Sequence, residues 1–176
     1  VMLSGFGPGL PGQINIEAVT LYDRDGVWLE VREIAVDWNP WALISSDVDV
    51  ALIAVNQIAV LRAPLPGASG EEAPPSSGQV LPDPPGIGVR LGQLQIASVL
   101  IDETFTGQAL AFDLAGSADL AQGGAGAVNL QVHQTLGGTG SLALDGAFDL
   151  GRDQIALRLD ASEEPGGVLI TLLGIG

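Results

Sequence analysis

The sequence predicts a mainly β protein, built as a curved antiparallel sheet of meander hairpins with one short helix near residues 40–46. Three observations lead to this fold class. Apolar and polar residues alternate with a period of two, as on strands with one apolar and one wet face. Glycine-rich segments separate the alternating stretches, and the alternation changes parity twice near the start of the chain.

The second half of the chain carries the clearest alternation. Its apolar positions share one parity within each stretch, and they are Leu110, Phe112 and Leu114, then Val128, Leu130 and Val132, then Leu142 and Leu144, and then Ile155, Leu157 and Leu159. The breaks at 122–126, 137–140, 151–153 and 163–167 have turn compositions. We therefore expect consecutive antiparallel hairpins in this half.

The first half alternates too, but its parity changes. Ile14 and Ile16 give way to Val19 and Leu21, and Val27, Leu29 and Val31 give way to Ile34, Val36 and Trp38. One extra residue in a β-bulge keeps all of these side chains on one face and bends the strand. Repeated bulges predict a curved sheet, a β-groove or half-pipe with an apolar lining.

The chain contains a short internal sequence repeat, which we call the internal echo. The segment 12–16, with Val19 and Leu21 after it, matches the segment 92–96, with Val99 and Ile101 after it. This favours a repeated β unit. We expect an N-terminal β unit over residues 1–62, a Pro/Gly/Ser-rich loop over 63–87, and a hairpin unit over 88–176 that continues the same sheet. The loop is interpreted as a linker or as a polyproline docking site.

The Asn39-Pro40 pair predicts the one short helix. Asn is a good N-cap, and Pro is preferred at the first helical position. The helix would run over one or two turns to Ser45 before Asp47 restarts a strand.

Composition excludes several classes of function. The net charge is −15, and the 6 cations are scattered arginines, so nucleic acid is a poor partner. There is no cysteine for disulfides or thiolate metal sites. No stretch reaches the roughly 18 apolar residues of a membrane span. The abrupt start at Val1 and the apolar run Val168–Gly176 lead us to expect a fragment of a longer chain.

The polar residues give no catalytic pattern. Asp23-Arg24-Asp25-Gly26 reads as a hairpin turn better than as a calcium loop. Asp47 and Asp49 share a face, but Val48 and Val50 would face the core, which leaves the pair solvated. His133 lies on the wet face with no obvious acid partner. We therefore expect no enzyme, no catalytic or metal residues and no cofactor.

Three tryptophans, Trp28, Trp38 and Trp41, fall close together in the sequence. Packing at one end of a small core is one interpretation. The other is an interfacial belt near a membrane, where an amphipathic indole is stable.

Several segments together resemble a known family. Gly12-Gln-Ile-Asn-Ile16, the run Tyr22–Leu29, Ile34-Ala-Val-Asp-Trp-Asn-Pro40 and a strand ending at Arg62 resemble the N-terminal region of TamB-type translocation and assembly proteins. These belong to the AsmA-like group of bacterial envelope proteins. The resemblance covers roughly residues 3–62. The rest of the chain is similar to the family only in its Gly-rich hairpins of alternating apolar residues.

The resemblance implies a long periplasmic protein that is anchored in the inner membrane by an N-terminal helix absent from this sequence. It implies a repeating β-groove, a role in outer-membrane and autotransporter protein assembly with a TamA-like outer-membrane barrel partner, and phospholipid transport between the membranes. The strong acidity and the absence of Lys are departures from what a membrane-proximal segment of this kind would carry.

The alternation independently favours an uncovered apolar lining for phospholipid acyl chains. The predicted lining residues are Ile14, Ile16, Leu29, Val31, Leu110, Phe112, Leu130, Val132, Leu142, Leu144, Leu157 and Leu159. Ordinary core packing is the alternative for each of them. For the whole chain, the alternative is a structural or strand-donating β-domain, such as a sandwich or solenoid, without lipid binding.

Overall fold

A computed structural model of the chain describes residues 1–6, 11–65 and 86–163. It is mainly β, as predicted. The strands are β1 (Met2–Phe6), β2 (Gln13–Asp23), β3 (Gly26–Asn39), β4 (Asp47–Val60), β5 (Gly88–Ile101), β6 (Leu110–Leu120), β7 (Ala125–Leu136), β8 (Gly140–Asp149) and β9 (Gln154–Glu163). Three short helical segments join them: Pro40–Ser45, α1 (Glu103–Thr106) and Leu150–Arg152.

The strands form one open sheet in sequence order from β1 to β9. Neighbours are antiparallel except for β4 and β5, which run parallel. The predicted hairpins are present on both sides of this pair, but the sheet is not antiparallel throughout. A parallel pair needs a crossover connection, and the Pro-rich segment supplies the chain length for one. Residues 66–85 of that segment lie outside the described residues.

The predicted short helix is confirmed as a six-residue 3-10 helix, Pro40–Ser45. The side chain of Asn39 accepts a hydrogen bond from the Trp41 backbone N–H at 3.1 Å, and Pro40 opens the helix. Ser46 ends it in a left-handed conformation, φ 60°. The helix α1 was not predicted from the sequence; Asp102 caps it by accepting from Thr104 N–H at 3.0 Å.

The parity switches lie side by side across the sheet. In β2 and β3, Ile16 is opposite Ile34 and Ala18 is opposite Arg32, so Glu17 and Glu33 face each other at the switch. Glu33 has a left-handed φ of 53°. The corresponding switch positions are residues 56–57 on β4 and 97–98 on β5. The extra residues at the switches therefore form a line across four neighbouring strands.

The line of extra residues ends in a bulge against β6. Ile96 is opposite Leu114 and Val99 is opposite Phe112. The two β5 residues between these pairs, Ala97 and Ser98, therefore both lie opposite the single β6 residue Asp113. Strand β6 alternates without interruption, so Phe112 and Leu114 point to the same face. Their partners on β5 must then share that face, which is the arrangement predicted from the parity switch. The curling of the sheet into a trough stays a prediction.

The internal echo has a structural counterpart. Ile14 and Leu94 fall in one cross-strand row, and Leu21 and Ile101 fall in another. Matching sequence positions on β2 and β5 therefore take equivalent places in the sheet.

Burial is sparse for a chain with so many apolar residues. Among the described residues the buried hydrophobic side chains are Val55, Leu110, Ala111 and Phe112. Leu110 and Phe112 form a small cluster, against which Val99, Ile101, Leu114, Val132 and Leu142 pack. All described strands belong to the one sheet, so within the described part no second sheet covers either face.

Candidate functional site

The strand register sorts the side chains into rows that cross the sheet, because directly opposed residues point to the same face. One row crosses from β2 to β9 through Ile16, Ile34, Val55, Ile96, Leu114, Val132, Leu142 and Ala161. The next row crosses through Ile14, Val36, Ile53, Leu94, Gly116, Leu130, Leu144 and Leu159. Neither row contains a polar side chain.

Further rows flank these two on the same face. One contains Val19, Val31, Ile58, Val99, Phe112 and Gln134, and beyond it lie Leu21, Leu29, Val60, Ile101 and Leu110. On the other side one row contains Trp38, Val50, Leu91, Ala118, Val128, Gly146 and Leu157. We call this set of rows the apolar face.

All twelve residues of the predicted lining fall on the apolar face. The register brings Leu130 opposite Leu144, and Val132 opposite Leu142. The lining prediction missed the apolar members of β4 and β5, such as Val55 and Ile96. Their signal was available, since the echo of β2 in β5 repeats the same alternation and the same switch.

The apolar face becomes more exposed towards β9. Val55, on β4, has 8% of its surface exposed, whereas Leu157 on β9 has 66% exposed. Ile155 and Leu159 on the same strand are also exposed. Strand β9 has a single neighbour in the sheet, β8, so no strand within the described residues pairs with its outer edge.

Gln134 interrupts the apolar face at its buried corner. It lies opposite Phe112 and is 7% exposed. Its amide Nε2 donates to the Leu136 carbonyl at 3.2 Å, while Oε1 has no hydrogen-bond partner. The side chain lies under the turn at Gly138, where a Cβ would come within 3.3 Å of the amide oxygen.

The opposite face, which we call the polar face, has its own rows. Ser117, Asn129, Asp145 and Arg158 form one of them. A shallow depression of about 730 Å³ lies along this row and the alanines beside it. Two of its polar side chains are paired, since Asn129 donates to Asp145 at 2.6 Å and Arg158 donates to Asp160 at 2.7 Å.

His133 lies on the polar face and is exposed, as predicted. The expectation that it has no acid partner is wrong, because Nδ1 lies 2.9 Å from Asp113 Oδ1 on the neighbouring strand. The two are 20 residues apart, and only the register of β6 with β7 brings them together.

The acidic candidates have structural contacts. The Asp23–Gly26 segment forms the predicted β2–β3 turn, and Arg62 binds across it. Arg62 Nη1 donates to Asp23 Oδ2 at 2.8 Å, and Nη2 donates to the Gly26 carbonyl at 2.8 Å. Hydrogen bonds from Arg62 and from the Leu65 N–H hold the pKa of Asp23 well below its usual range.

Asp47 serves as an acceptor at the start of β4. Gln122 Nε2 donates to Asp47 Oδ1 at 3.1 Å and to the Ser45 carbonyl at 2.8 Å, which ties the β6–β7 turn to the end of the Pro40–Ser45 helix. Asp49 lies on the same strand opposite Arg90. Within residues 1–6, 11–65 and 86–163, no three His, Cys, Asp or Glu side chains are grouped to hold a metal ion.

The tryptophans separate into different environments. Trp38 is on the apolar face opposite Val50, whereas Trp41 projects from the Pro40–Ser45 helix and is exposed together with Leu43 and Ile44. The tryptophans were predicted from the sequence as candidate interface residues, whereas Leu43 and Ile44 were not. A helix of six residues is too short to show an amphipathic pattern.

Comparison with protein-family models, with curated proteins and with solved structures gives no match to this chain. In the described part of the chain, no helix is long and apolar enough to cross a bilayer. The apolar face is the feature of the described structure that supports a functional proposal.

Proposed function

We propose that the apolar face binds the acyl chains of phospholipids, and that the chain is a periplasmic segment of an inner-membrane-anchored, TamB-like protein. In this role it acts in outer-membrane and autotransporter protein assembly and in phospholipid transport between the membranes. A TamA-like barrel would be reached through other parts of the full-length protein. The supporting observation is a continuous set of apolar rows that no second layer covers within the described residues.

The dimensions of the apolar face suit acyl chains. A row from β2 to β9 crosses seven strand spacings of ~4.8 Å, or ~34 Å along the sheet. This is close to the ~30 Å thickness of a bilayer's hydrocarbon core, which two acyl chains span end to end. One row therefore has room for a whole acyl chain.

The chemistry of the face also suits a mobile ligand. Each methylene removed from water contributes ~0.8 kcal/mol when it is fully buried, and an open face provides part of this. Because the two central rows hold no polar side chain, a bound chain meets similar aliphatic surface at each strand. It can slide with no hydrogen bonds to break, and the process requires no catalytic residue.

A curved sheet would strengthen this binding. The bulge of Ala97 and Ser98 against Asp113, and the extra residues Glu17 and Glu33 aligned with it, are the positions where our proposal has the strands bend and twist. In our proposal they curl the apolar face inward into a β-groove, so that an acyl chain contacts the wall on more than one side.

A second candidate, binding of an extended peptide, is favoured by the open edge of β9. An exposed strand edge offers unpaired backbone groups to an added strand. Ile155, Leu157 and Leu159 would then pack against alternate side chains of that strand. This candidate is a strand-donating or structural β-domain without lipid binding.

Two cross-strand pairs provide a matched test of the lipid proposal. Leu130 and Leu144 are opposite each other on the apolar face, and the next pair, Gln131 and Ala143, lies on the polar face of the same strands. We expect the double variant L130D/L144D to keep its β circular dichroism spectrum and to lose bound phospholipid in native mass spectrometry. The control Q131D/A143D introduces the same charges and should keep both.

Two results would overturn the lipid proposal. One is unfolding of L130D/L144D while Q131D/A143D stays folded, which would mean that the face is a sealed core. The other is equal lipid content in the two double variants. A peptide that adds to the β9 edge through backbone hydrogen bonds would bind both variants equally, which separates the second candidate from the first.

A further inference from the structure

The Pro40–Ser45 helix presents an apolar surface that is exposed within the described part of the chain. Trp41 is 74% exposed, Leu43 is 53% exposed and Ile44 is 82% exposed. Large apolar side chains clustered at such exposure mark interaction sites more often than isolated ones do. We call these three side chains the Trp41 patch.

The backbone beneath the Trp41 patch is held in place from several sides. Asn39 caps its first turn, and Ser45 Oγ lies 2.8 Å from the Ala42 carbonyl oxygen and 3.1 Å from Asp47 Oδ2, so that its one proton is shared between these two acceptors. Gln122 holds the Ser45 carbonyl from the β6–β7 turn. The exposed side chains therefore project from a fixed segment.

The Trp41 patch directly follows the apolar face along the chain. The helix follows Trp38, which lies opposite Val50 in one of the rows of that face. Gly12 fixes the start of β2 at this point, since the Trp38 N–H donates to the Gly12 carbonyl at 2.8 Å. The patch therefore stands at the end of the sheet where the row through Trp38 and Val50 lies.

The charges around the Trp41 patch select its partner. The segment from Trp38 to Ser46 has no charged residue, and Asp37 and Asp47 border it. Arg90, the cation nearby on the polar face, lies in its row between Asp49 and Asp119. With a net charge of −15, the chain would be repelled by an anionic membrane but not by a zwitterionic one.

We propose that the Trp41 patch inserts into the interfacial region of a zwitterionic phospholipid surface, and that it docks the end of the apolar face there so that acyl chains can pass between the two. This inference rests on the proposed function. The indole is suited to the interface because its ring is apolar and its N–H can be hydrated. The carboxylates of Asp37 and Asp47 on either side limit the insertion to a shallow depth.

Flotation with phosphatidylcholine vesicles tests the docking. We expect the full chain to float with the vesicles, and W41A and I44D each to lower the bound fraction by about tenfold, the factor expected for withdrawing one large apolar side chain from lipid. The matched control is L136D, which changes an exposed leucine at the opposite end of the sheet. It should float like the unchanged chain.

Fluorescence locates the insertion. In the variant W28F/W38F, Trp41 is the remaining tryptophan. Its emission should shift to shorter wavelength and be quenched by brominated phosphatidylcholine. Equal flotation of I44D and the unchanged chain, or unquenched Trp41 emission in bound protein, would overturn the inference. So would a dimer that I44D converts to a monomer, because the patch would then be an interface between two copies.

A soluble short-chain phosphatidylcholine, used below its micelle concentration, separates this inference from the proposed function. If L130D/L144D and the unchanged chain bind it equally, the proposed function is wrong whether or not vesicles are docked. If binding depends on Leu130 and Leu144 but vesicles do not float with the chain, docking alone is wrong.

Discussion

At the scale of single residues, Arg62 and Asp23 form a polar contact between elements that are distant in the sequence. It joins the end of β4 to the β2–β3 turn, and both side chains are partly exposed. Sequence patterns could not predict it, since the two residues are 39 positions apart and the DRDG composition already has a local explanation as a turn. The same reason explains why Asp113 was missed as the partner of His133.

Asp23→Asn is expected to lower stability at neutral pH and to lower it by less at pH 3. The folded pKa of Asp23 is depressed, chiefly by the hydrogen bond from Arg62. Its contribution is therefore fully present well above the unfolded value, about 4, decreases as the pH falls below that value, and is lost only as the pH falls through the much lower folded pKa. Urea unfolding at pH 7 and at pH 3 measures the free energy of unfolding of Asp23→Asn and of the unchanged chain.

The control for this prediction is Asp25→Asn, which changes a carboxylate in the same turn. A stability difference between Asp23→Asn and the unchanged chain that stays constant from pH 7 to pH 3 would contradict the assignment.

At the scale of elements, local signals were sufficient for the hairpins and for the Pro40–Ser45 helix. Asn39, Pro40 and the turn glycines act on their immediate neighbours, so their effect can be read from the sequence. The parallel pairing of β4 with β5 could not be read in this way. Alternation shows which side chains share a face, but a strand keeps the same faces whichever way its neighbour runs.

Deleting Glu33 tests the line of parity switches. Removing this one residue turns Ile34, Val36 and Trp38 to the opposite face, because side chains alternate along a strand. We expect the deletion variant to lose cooperative thermal unfolding, as followed by circular dichroism.

Glu33→Gly serves as the control for the deletion. It keeps the residue count and removes the side-chain cost of the left-handed φ, so its stability should stay within about 1 kcal/mol of the unchanged chain. If the deletion variant melts like Glu33→Gly, the register does not depend on the extra residue.

At the scale of the whole molecule, the apolar face follows from the sequence more fully than the order of the strands does. Period-two alternation and its switches assign each side chain to a face, and all twelve predicted lining residues share one. Whether a second layer covers that face depends on contacts between residues distant in the sequence, and the alternation does not determine such contacts. The Trp41 patch was missed for the same reason, since exposure depends on the packing around a residue.

Hydrogen exchange should show stability decreasing from the middle of the sheet to its edges. Strands β4 and β5 are each 14 residues long and have neighbours on both sides, whereas β1 and β9 have one described neighbour each. We expect the slowest amide exchange in β4 and β5 and the fastest in β1 and β9, measured by mass spectrometry of peptides. Exchange in β9 as slow as in β4 would mean that its outer edge is paired.

The parallel direction of β4 and β5 also sets a minimum length for the segment between them. From Val60, the chain must return along ~46 Å of strand before Gly88, which about 14 extended residues can span. The connection has 27 residues, from Leu61 to Ile87. The connection therefore exceeds this minimum by about a dozen residues, and a variant that lacks that many is expected to keep the parallel pair. Trimming twenty would make the return impossible and force β5 to reverse its direction.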